Sequence, residues 1–184
     1  MKKVKFLFHS LRNFQEMGTV VRSGGPMCRK MTQFIDKKND LIIMELGAGD
    51  GAITSHILNK MSPDAKLFVF EINPELCEVV GRIQDDRLIL INDGAQHMEK
   101  YMQKYNISQV DTIISAIPFL VLPEELTNEI LQLSRNVLKT GGQFVQMHYS
   151  KSLEKKYKSI FGNLQSYFVT FNIPPGYVFR SVKE

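Results

Sequence analysis

Cysteine is scarce in this sequence, and long apolar runs are absent. Cys28 and Cys77 are the two cysteines among 184 residues; they lie far apart, and neither belongs to a CxxC pair or neighbours a pair of histidines. A disulfide framework and a structural zinc site both need closely spaced ligands, so we expect two reduced thiols and no bound metal. No stretch approaches the roughly 18 apolar residues of a membrane-spanning helix.

The first residues begin like a secretory signal and then depart from it. MKKVK is followed by three apolar residues, 6–8, but polar residues at positions 9, 10 and 12 interrupt this segment before it reaches a useful length. We therefore expect a cytoplasmic protein, either dissolved in the cytoplasm or peripheral on the inner face of the cytoplasmic membrane.

Positive charge is concentrated in the first 38 residues. This segment has nine lysines and arginines against Glu16 and Asp36, a net charge of +7, whereas the whole chain has +4, so the other 146 residues carry −3. A basic end on a mildly acidic domain favours an anionic partner, either a membrane surface or a nucleic acid. Charge alone leaves both partners open.

From residue 41 onwards, short β-branched apolar runs alternate with amphipathic segments, which predicts an α/β fold with a parallel sheet. The pattern predicts strands at 41–46, 66–71, 88–91, 110–115 and 143–149, with helices at 52–61, 74–83, 95–105 and 123–138. Gly141 and Gly142 are interpreted as the end of the last of these helices. Residues 3–16 and 26–37 are also predicted to be helical. We divide the chain into a basic helical extension, 1–38, and a domain, 39–184.

A lysine-rich helix near 151–160 and two strands, 164–172 and 177–183, complete the chain. Their Pro-Pro-Gly connection at 174–176 is too short for a parallel return, so the two strands form an antiparallel hairpin. The expected fold is a Rossmann-like, seven-stranded, mostly parallel sheet with an antiparallel C-terminal hairpin and helices on both faces. This layout resembles that of the class I methyltransferases.

The strongest motif is a glycine-rich segment, Glu-Leu-Gly-Ala-Gly-Asp-Gly at residues 45–51, between a predicted strand and a predicted helix. Gly47 and Gly49 allow a tight turn and a close approach of the backbone to a ligand. The helix that follows directs free amide groups towards the same place. A strand–turn–helix unit of this kind is typical of nucleotide-like cofactor binding.

Acidic residues follow the next two strands. Glu71 lies 20 residues beyond the motif, where a carboxylate accepts hydrogen bonds from ribose hydroxyls. That spacing also fits an NAD enzyme, but Glu45, two places before the first glycine, resembles methyltransferase motif I. Asp93 resembles the residue that meets the adenine amino group. The resemblance implies that S-adenosylmethionine, with S-adenosylhomocysteine as its product, binds at Glu45, Gly47, Ala48, Gly49, Gly51, Glu71, Ile72, Asp93, Gly94, Ala95 and Ser115.

Residues 115–119, Ser-Ala-Ile-Pro-Phe, follow strand four, where class I methyltransferases face the methyl acceptor. Enzymes that methylate the adenine amine have Asn or Asp at the position of Ala116, followed by an apolar residue, proline and an aromatic residue. Ala116 lacks the side chain that would orient the base. The segment is instead similar to the "SGLPLL" element of bacterial phospholipid N-methyltransferases.

Three further segments resemble this family. Residues 22–31 (RSGGPMCRKM) are similar to its "PSS/SGP…M" segment, residues 143–149 (QFVQMHY) to "FVQFTYG", and residues 172–180 (NIPPGYVFR) to "NLPPAxVWR". The resemblance covers about residues 15–182. It implies an enzyme that methylates the amine of phosphatidylethanolamine or a related amino-lipid, with an anionic membrane surface as its partner and nucleic acid as the less favoured one. His148 and Gly176 depart from the pattern, which affects the lipid acceptor more than the class.

The acceptor must be an uncharged amine, so some group must take its proton or favour the loss of it. Tyr149 and His148 are the candidates at the carboxyl edge of the sheet, with Ser115 as a third; Tyr149 is favoured because it matches the tyrosine of the family. Arg180 is predicted to hold the lipid phosphate through two hydrogen bonds. The remaining predicted acceptor contacts are Tyr177, Ile117 and Pro118.

The predicted helix at 3–16 has an apolar stripe with basic residues beside it, which favours contact with an anionic membrane. Packing of the same stripe on its own domain is the alternative. Two other functions stay open. One is an RNA methyltransferase of the ribosomal adenine type, which would use the basic end on phosphates. The other is a cofactor-binding partner subunit without catalysis.

Overall fold

The computed structural model describes residues 24–184, and the predicted helix at 3–16 lies outside them. The strands are β1 (Ile42–Leu46), β2 (Lys66–Phe70), β3 (Leu88–Ile91), β4 (Val110–Ser115), β5 (Leu138–His148), β6 (Gln165–Val169) and β7 (Gly176–Val182). The α-helices are α1 (Gly25–Thr32), α2 (Ala52–Lys60), α3 (Pro74–Val80), α4 (Met98–Lys104), α5 (Glu124–Val137) and α6 (Glu154–Phe161). Short 3-10 turns cover Ala95–His97 and Phe119–Val121.

The strands form one sheet in the order β3-β2-β1-β4-β5-β7-β6. β1 to β5 run parallel, and β7 is antiparallel to both β5 and β6. The predicted Rossmann-like fold with its C-terminal hairpin is therefore confirmed. The order of the strands reverses between β1 and β4, and in open α/β sheets a ligand binds at the carboxyl ends of the strands at such a point.

Helices cover both faces of the sheet, which explains why its strands are apolar on both sides. Successive residues of a strand point to opposite faces; Ile43 and Met44 accordingly belong to two separate core clusters. The cluster around Ile43 receives side chains from α1, α2 and α3, and that around Met44 receives them from α4, α5 and α6. A strand that is a continuous apolar run in the sequence thus packs its side chains into a core cluster on each face of the sheet.

The start of β5 differs from the prediction. The strand begins at Leu138, immediately after α5, instead of at residue 143. Gly141 has φ +78 and donates its N–H to the carbonyl oxygen of Lys183 at 2.7 Å, and the register against β4 shifts at this point. The interpretation of Gly141 and Gly142 as a helix end was wrong, because both lie inside β5, where its register against β4 is irregular.

Helix α1 runs across one face of the sheet, from the carboxyl ends of the parallel strands towards their amino ends. It begins beside the loop that precedes β7, since a Cβ on Gly24 would lie 2.6 Å from Oδ1 of Asn172. After the helix ends at Thr32, the carbonyl oxygen of Phe34 accepts a hydrogen bond from Nε2 of Gln143 at 2.6 Å. Its buried residues belong to the same core as the sheet. The described part of the predicted extension therefore packs on the domain, and the boundary at residue 38 stays a prediction.

Candidate active site

The glycine loop follows β1 at the carboxyl edge of the sheet. Gly47, Gly49 and Gly51 have φ values of +79, +57 and +80, in the left-handed region that favours glycine. A Cβ on Gly47 would lie 3.3 Å from Cγ1 of Ile117, whereas a Cβ on Gly49 would meet no atom within 4 Å. Gly47 is therefore packed against the loop after β4, and Gly49 borders open space. Ala48, between them, is buried.

The carboxylate of Glu71 lies next to this loop. Its Oε2 accepts a hydrogen bond from the N–H of Gly49 and its Oε1 from the N–H of Asn73, both at 2.9 Å. Burial raises the pKa of Glu71, while these two hydrogen bonds oppose the rise. Each oxygen can accept a second hydrogen bond, so the side chain can still meet two hydroxyl groups. Ile72, which follows, is half-buried. The ribose contact itself stays a prediction.

Glu45 is fully buried beneath the glycine loop. Its Oε2 accepts a hydrogen bond from the hydroxyl of Thr54 at 2.6 Å, and its Oε1 has no partner among the described residues. Burial raises the pKa of Glu45 to about 8, and the neighbouring carboxylates of Glu71 and Asp50 add to the rise. A nearby cation would stabilise the charged form of this carboxyl.

Asp93 follows β3 and organises the turn after it. Its Oδ1 accepts a hydrogen bond from the N–H of Gly94 at 2.8 Å and lies 2.7 Å from Nδ1 of His97, and its Oδ2 accepts one from the hydroxyl of Tyr101 at 3.0 Å. Burial raises the pKa of Asp93, but these hydrogen bonds outweigh it and leave the pKa lowered. Asp93 therefore fixes the backbone of Gly94 and the buried Ala95 at this end of the crevice.

Gln96 is a polar residue here that the sequence did not single out. Its side chain lies directly against Gly94, and its Oε1 is buried without a hydrogen-bond partner in the described part of the chain. A free carbonyl oxygen can accept a hydrogen bond from an exocyclic amine. Gln96 is thus a second candidate contact for adenine beside Asp93. Gln96 belongs to no recognised sequence motif, so only its position against Gly94 in the structure identifies it as a candidate.

The loop after β4 is the predicted acceptor segment, and it adjoins the glycine loop. Ser115 is fully buried, and its Oγ accepts a hydrogen bond from the N–H of Ile117 at 3.3 Å. The N–H of Ala116 donates to the carbonyl oxygen of Leu46 at 2.9 Å. Ser115 therefore holds the turn, while Ile117 packs on Gly47. Ile117 and Pro118 are half-buried and present an apolar surface.

Gln146 on β5 is the second functional candidate that sequence reasoning missed. It pairs with Ser115 in the sheet and is fully buried. Its Nε2 donates to the carbonyl oxygens of Ile117 at 3.0 Å and Met147 at 2.8 Å, which sets the orientation of the amide. Its Oε1 has no partner among residues 24–184. A buried unpaired acceptor is costly, and here it adjoins the predicted acceptor loop.

The structure separates Tyr149 and His148. Tyr149 directly follows β5 at the carboxyl edge of the sheet, and the residue is 42% exposed. His148 is buried, with its Nε2 3.0 Å from the hydroxyl of Tyr157 and its ring against Phe179. Burial lowers the pKa of His148 to about 4 and raises that of Tyr149. At neutral pH His148 is therefore a neutral imidazole packed in the core, and Tyr149 is a neutral phenol at the edge.

Arg180 and Tyr177 lie at different levels of β7. Tyr177 pairs with His148 at the edge, but Arg180 is three residues further along, about 10 Å away at 3.3 Å per residue. The guanidinium of Arg180 donates to Oε1 of Gln143 at 2.7 Å and to Oε1 of Gln165 at 2.8 Å. The structure thus does not bring Arg180 to the edge where Tyr149 lies. Its geometry favours a role in joining strands over the predicted phosphate contact.

Solved structures share this fold. Fibrillarin from Aeropyrum pernix, solved with bound S-adenosyl-L-methionine, is 17% identical; the match covers 84% of this chain and 73% of that one, with a TM-score of 0.64. An rRNA methylase from Streptococcus thermophilus is also 17% identical, with 90% and 99% covered and a TM-score of 0.62. The fold and the site together define a class I, S-adenosylmethionine-dependent methyltransferase.

The chain belongs to the methyltransferase small domain family, whose sequence model matches residues 28–172. It is also similar along its whole length to an ornithine lipid N-methyltransferase from Singulisphaera acidiphila, with 27% identity over 190 residues that cover 98% of this chain and 99% of the relative. No helix among residues 24–184 is long and apolar enough to cross a membrane.

The residues present fit the cofactor. S-adenosylmethionine carries a sulfonium and an ammonium, and the buried Glu45 has an unpaired oxygen that a cation would satisfy. Glu71 would bind the ribose, and Asp93 with Gln96 the adenine side, while the open space at Gly49 would leave room for the cofactor next to the loop. The bound cofactor supplies an electrophilic methyl group. The chain itself contributes the position and the surroundings of the acceptor.

Proposed function

We propose that this methyltransferase transfers methyl groups to the amine of an amino-lipid headgroup, phosphatidylethanolamine or a related lipid such as an ornithine lipid. The observation that carries the proposal is the full-length similarity to the ornithine lipid N-methyltransferase of Singulisphaera acidiphila. A full-length match includes the second half of the sheet, which contains the predicted acceptor contacts.

The acceptor loop suits an amine that must lose a proton. A primary ammonium is mostly protonated at neutral pH, and burial in apolar surroundings disfavours its charged form. Ala116, Ile117 and Pro118 offer no charged side chain to stabilise an ammonium. Desolvation against this loop therefore promotes loss of the proton to solvent before transfer, without a strong base among the side chains.

Two polar groups can orient the amine. The unpaired Oε1 of Gln146 can accept a hydrogen bond from an amine N–H, and the hydroxyl of Tyr149, three residues further along the chain, is the alternative acceptor. Because the pKa of Tyr149 is raised, its phenol acts here as a hydrogen-bonding group and not as a base. A hydrogen bond to either group would orient the amine, and its lone pair would then face the methyl group that a bound cofactor would supply. Positioning of this kind is the main contribution an enzyme makes to such a displacement.

For an acceptor with a phosphate, the edge offers Lys151 in place of Arg180. Its ammonium lies 5.3 Å from the centre of the Tyr177 ring and 3.5 Å from Oε1 of Glu154. Lys151 follows Tyr149 by two residues, so it is on the same edge. We assign the phosphate contact to Lys151 within the proposal.

The experiment is a methylation assay of the whole purified chain with S-adenosylmethionine. Ornithine lipid and phosphatidylethanolamine, each dispersed in detergent, are offered beside ribosomal RNA, and products are identified by mass spectrometry. Successive mass increases of one CH2 on a lipid are expected, with no transfer to phosphatidylcholine, which has no free amine. Methylation of RNA with none on either lipid would overturn the proposal and favour the use of the +7 segment on phosphates.

A further inference from the structure

The connection between β6 and β7 presents two large apolar side chains to solvent. Phe171 is 88% exposed and Ile173 is 86% exposed, while Phe168 at the end of β6 is 55% exposed. Apolar residues scattered singly on a surface are ordinary, but a group of them on one projecting loop marks an interaction site.

The residue between the two is an anchor. Asn172 is almost completely buried, and its Nδ2 donates to the carbonyl oxygen of Pro174 at 2.8 Å. Its Oδ1 lies against Gly24 at the start of α1, where a Cβ would be only 2.6 Å away. Because Asn172 points inwards, the alternating side chains of Phe171 and Ile173 are held outwards.

Basic side chains flank the loop. Arg29 and Lys30 of α1 line a groove of about 330 Å³ together with Phe168 and Phe171. Among the described residues that line this groove, none is acidic. The ammonium of Lys30 lies 4.0 Å from the centre of the Tyr167 ring, so this cation is held against β6, the strand that leads into the loop.

The loop lies at the same edge of the sheet as the candidate active site. Val169 pairs with Gly176 across the base of the loop, and a Cβ on Gly176 would lie 3.3 Å from Cδ1 of Tyr149. A surface that binds the apolar tip would therefore lie next to the edge where the acceptor enters.

We propose that this tip, Phe171 with Ile173, and the basic pair Arg29 with Lys30 form a docking surface for an anionic lipid bilayer. The apolar side chains enter the interface, and the two cations meet lipid phosphates. The combination of a protruding apolar pair and adjacent cations is complementary to a bilayer, which is apolar inside and anionic at its surface. The inference rests on the proposed function, since it explains how the active-site edge would reach an amino-lipid.

The sequence provides a direct probe because it contains no tryptophan. Phe171→Trp of the whole chain gives one fluorophore at the tip, and Leu41→Trp gives one at the opposite, amino edge, where Leu41 is 50% exposed. Vesicles of phosphatidylcholine with phosphatidylglycerol are expected to shift the emission of Phe171→Trp to shorter wavelength and to leave that of Leu41→Trp unchanged. An unchanged emission of Phe171→Trp, or a shift produced by RNA and not by vesicles, would overturn the proposal.

Paired substitutions measure the contribution of each part. Phe171→Ser with Ile173→Ser is expected to lower vesicle partitioning by about tenfold or more, as loss of two large apolar groups predicts, and Leu41→Ser serves as the control. Arg29→Gln with Lys30→Gln is expected to weaken binding to anionic vesicles and to make that binding less dependent on the salt concentration. The control is Lys37→Gln with Lys38→Gln, in the exposed turn before β1. Unchanged partitioning in both test pairs would contradict the proposed surface.

The two proposals fail separately. Suppose that the chain methylates detergent-dispersed amino-lipid but that substitutions in the tip do not change vesicle binding. The proposed function would then stand, and the proposed docking surface would be wrong. Docking through the tip without methylation of any amino-lipid would leave the surface and remove the proposed acceptor. The Phe171→Ser with Ile173→Ser variant is expected to retain turnover on the dispersed lipid, which also shows that it is folded.

Discussion

The side-chain amide of Gln146 donates a hydrogen bond to the carbonyl oxygen of Ile117 at 3.0 Å. This contact joins β5 to the loop after β4, and the side chain of Ile117 in turn packs against Gly47 of the glycine loop. The cofactor loop, the acceptor loop and the candidate orienting amide are thus one continuous set of contacts. A change at Gln146 should consequently affect the acceptor step before it affects the cofactor.

Gln146→Leu is expected to lower kcat/KM for the proposed lipid acceptor by about two- to tenfold, since one neutral hydrogen bond contributes about 0.5–1.5 kcal/mol. Binding of S-adenosylhomocysteine, measured by calorimetry, should change little. Gln103→Leu, on the exposed end of α4, is the matched control. Equal loss of cofactor binding and turnover would show that Gln146 maintains the loop structure instead of orienting the amine.

Glu71→Ala is expected to weaken cofactor binding by about 1–3 kcal/mol, the range for hydrogen bonds to a charged group. The reason is that its carboxylate adjoins Gly49 and would meet the ribose. Calorimetric titration with S-adenosylhomocysteine measures the effect, with Glu78→Ala on the exposed face of α3 as the comparison. An unchanged affinity would remove Glu71 from the cofactor site.

Tyr149→Phe removes a hydroxyl at the edge and keeps the ring. Turnover on the proposed amino-lipid acceptor should fall while cofactor affinity is retained, because Tyr149 follows β5, next to the predicted acceptor contacts. Tyr105→Phe removes a hydroxyl from another exposed tyrosine and should leave turnover as in the unmodified chain. Full activity of the Tyr149 variant would leave Gln146 as the sole orienting candidate among the described residues.

Arg180→Lys tests the revised role of this arginine. An ammonium cannot reproduce both hydrogen bonds of the guanidinium, to Gln143 and to Gln165. We expect a lower Tm with little change in KM for the lipid. The reverse pattern, a raised KM for phospholipids with an unchanged Tm, would restore the phosphate contact predicted from the sequence.

Stability should depend on pH through His148. Burial lowers the pKa of this imidazole from 6.5 to about 4, so the unfolded chain binds the proton more readily than the folded protein. The contribution is present in full above pH 6.5 and is lost as the pH falls towards 4, by at most about 3 kcal/mol. His148→Gln keeps a hydrogen-bonding partner for Tyr157 but does not titrate. Denaturant unfolding above pH 6.5 and near pH 4 should show a smaller loss in this variant; an identical loss would place the acid sensitivity elsewhere.

The fold could be predicted because it depends on local patterns, and so could the position of the cofactor candidates at one edge of the sheet. The glycine motif, Glu71 and Asp93 each follow a strand, and their meeting at one edge is a consequence of parallel topology. The start of β5 could not be predicted in this way, since glycine adopts the left-handed conformation both at a helix end and at an irregular point of a strand. Only the hydrogen bond from Gly141 to Lys183, directly after β7, distinguishes the two.

The acceptor half depends on register and burial, which a motif does not contain. Arg180 was expected near the reaction, but the antiparallel register of β7 places it three residues from the edge. Gln146 was overlooked because a single amide within an apolar strand is normally a structural residue. Its importance becomes visible when both hydrogen bonds of its nitrogen are known and its oxygen is found without a partner.

The reversal of strand order between β1 and β4 has a consequence for how such a chain diversifies. Residues 45–96, on β1 to β3 and the turns after them, contain nearly all of the cofactor candidates, whereas the acceptor candidates come from β4, β5 and β7. The two sets meet along a single seam, where Gly47 touches Ile117. Substitutions on the side of the predicted acceptor contacts can therefore accumulate and redirect the enzyme to another acceptor, while the methyl-donor side is inherited intact.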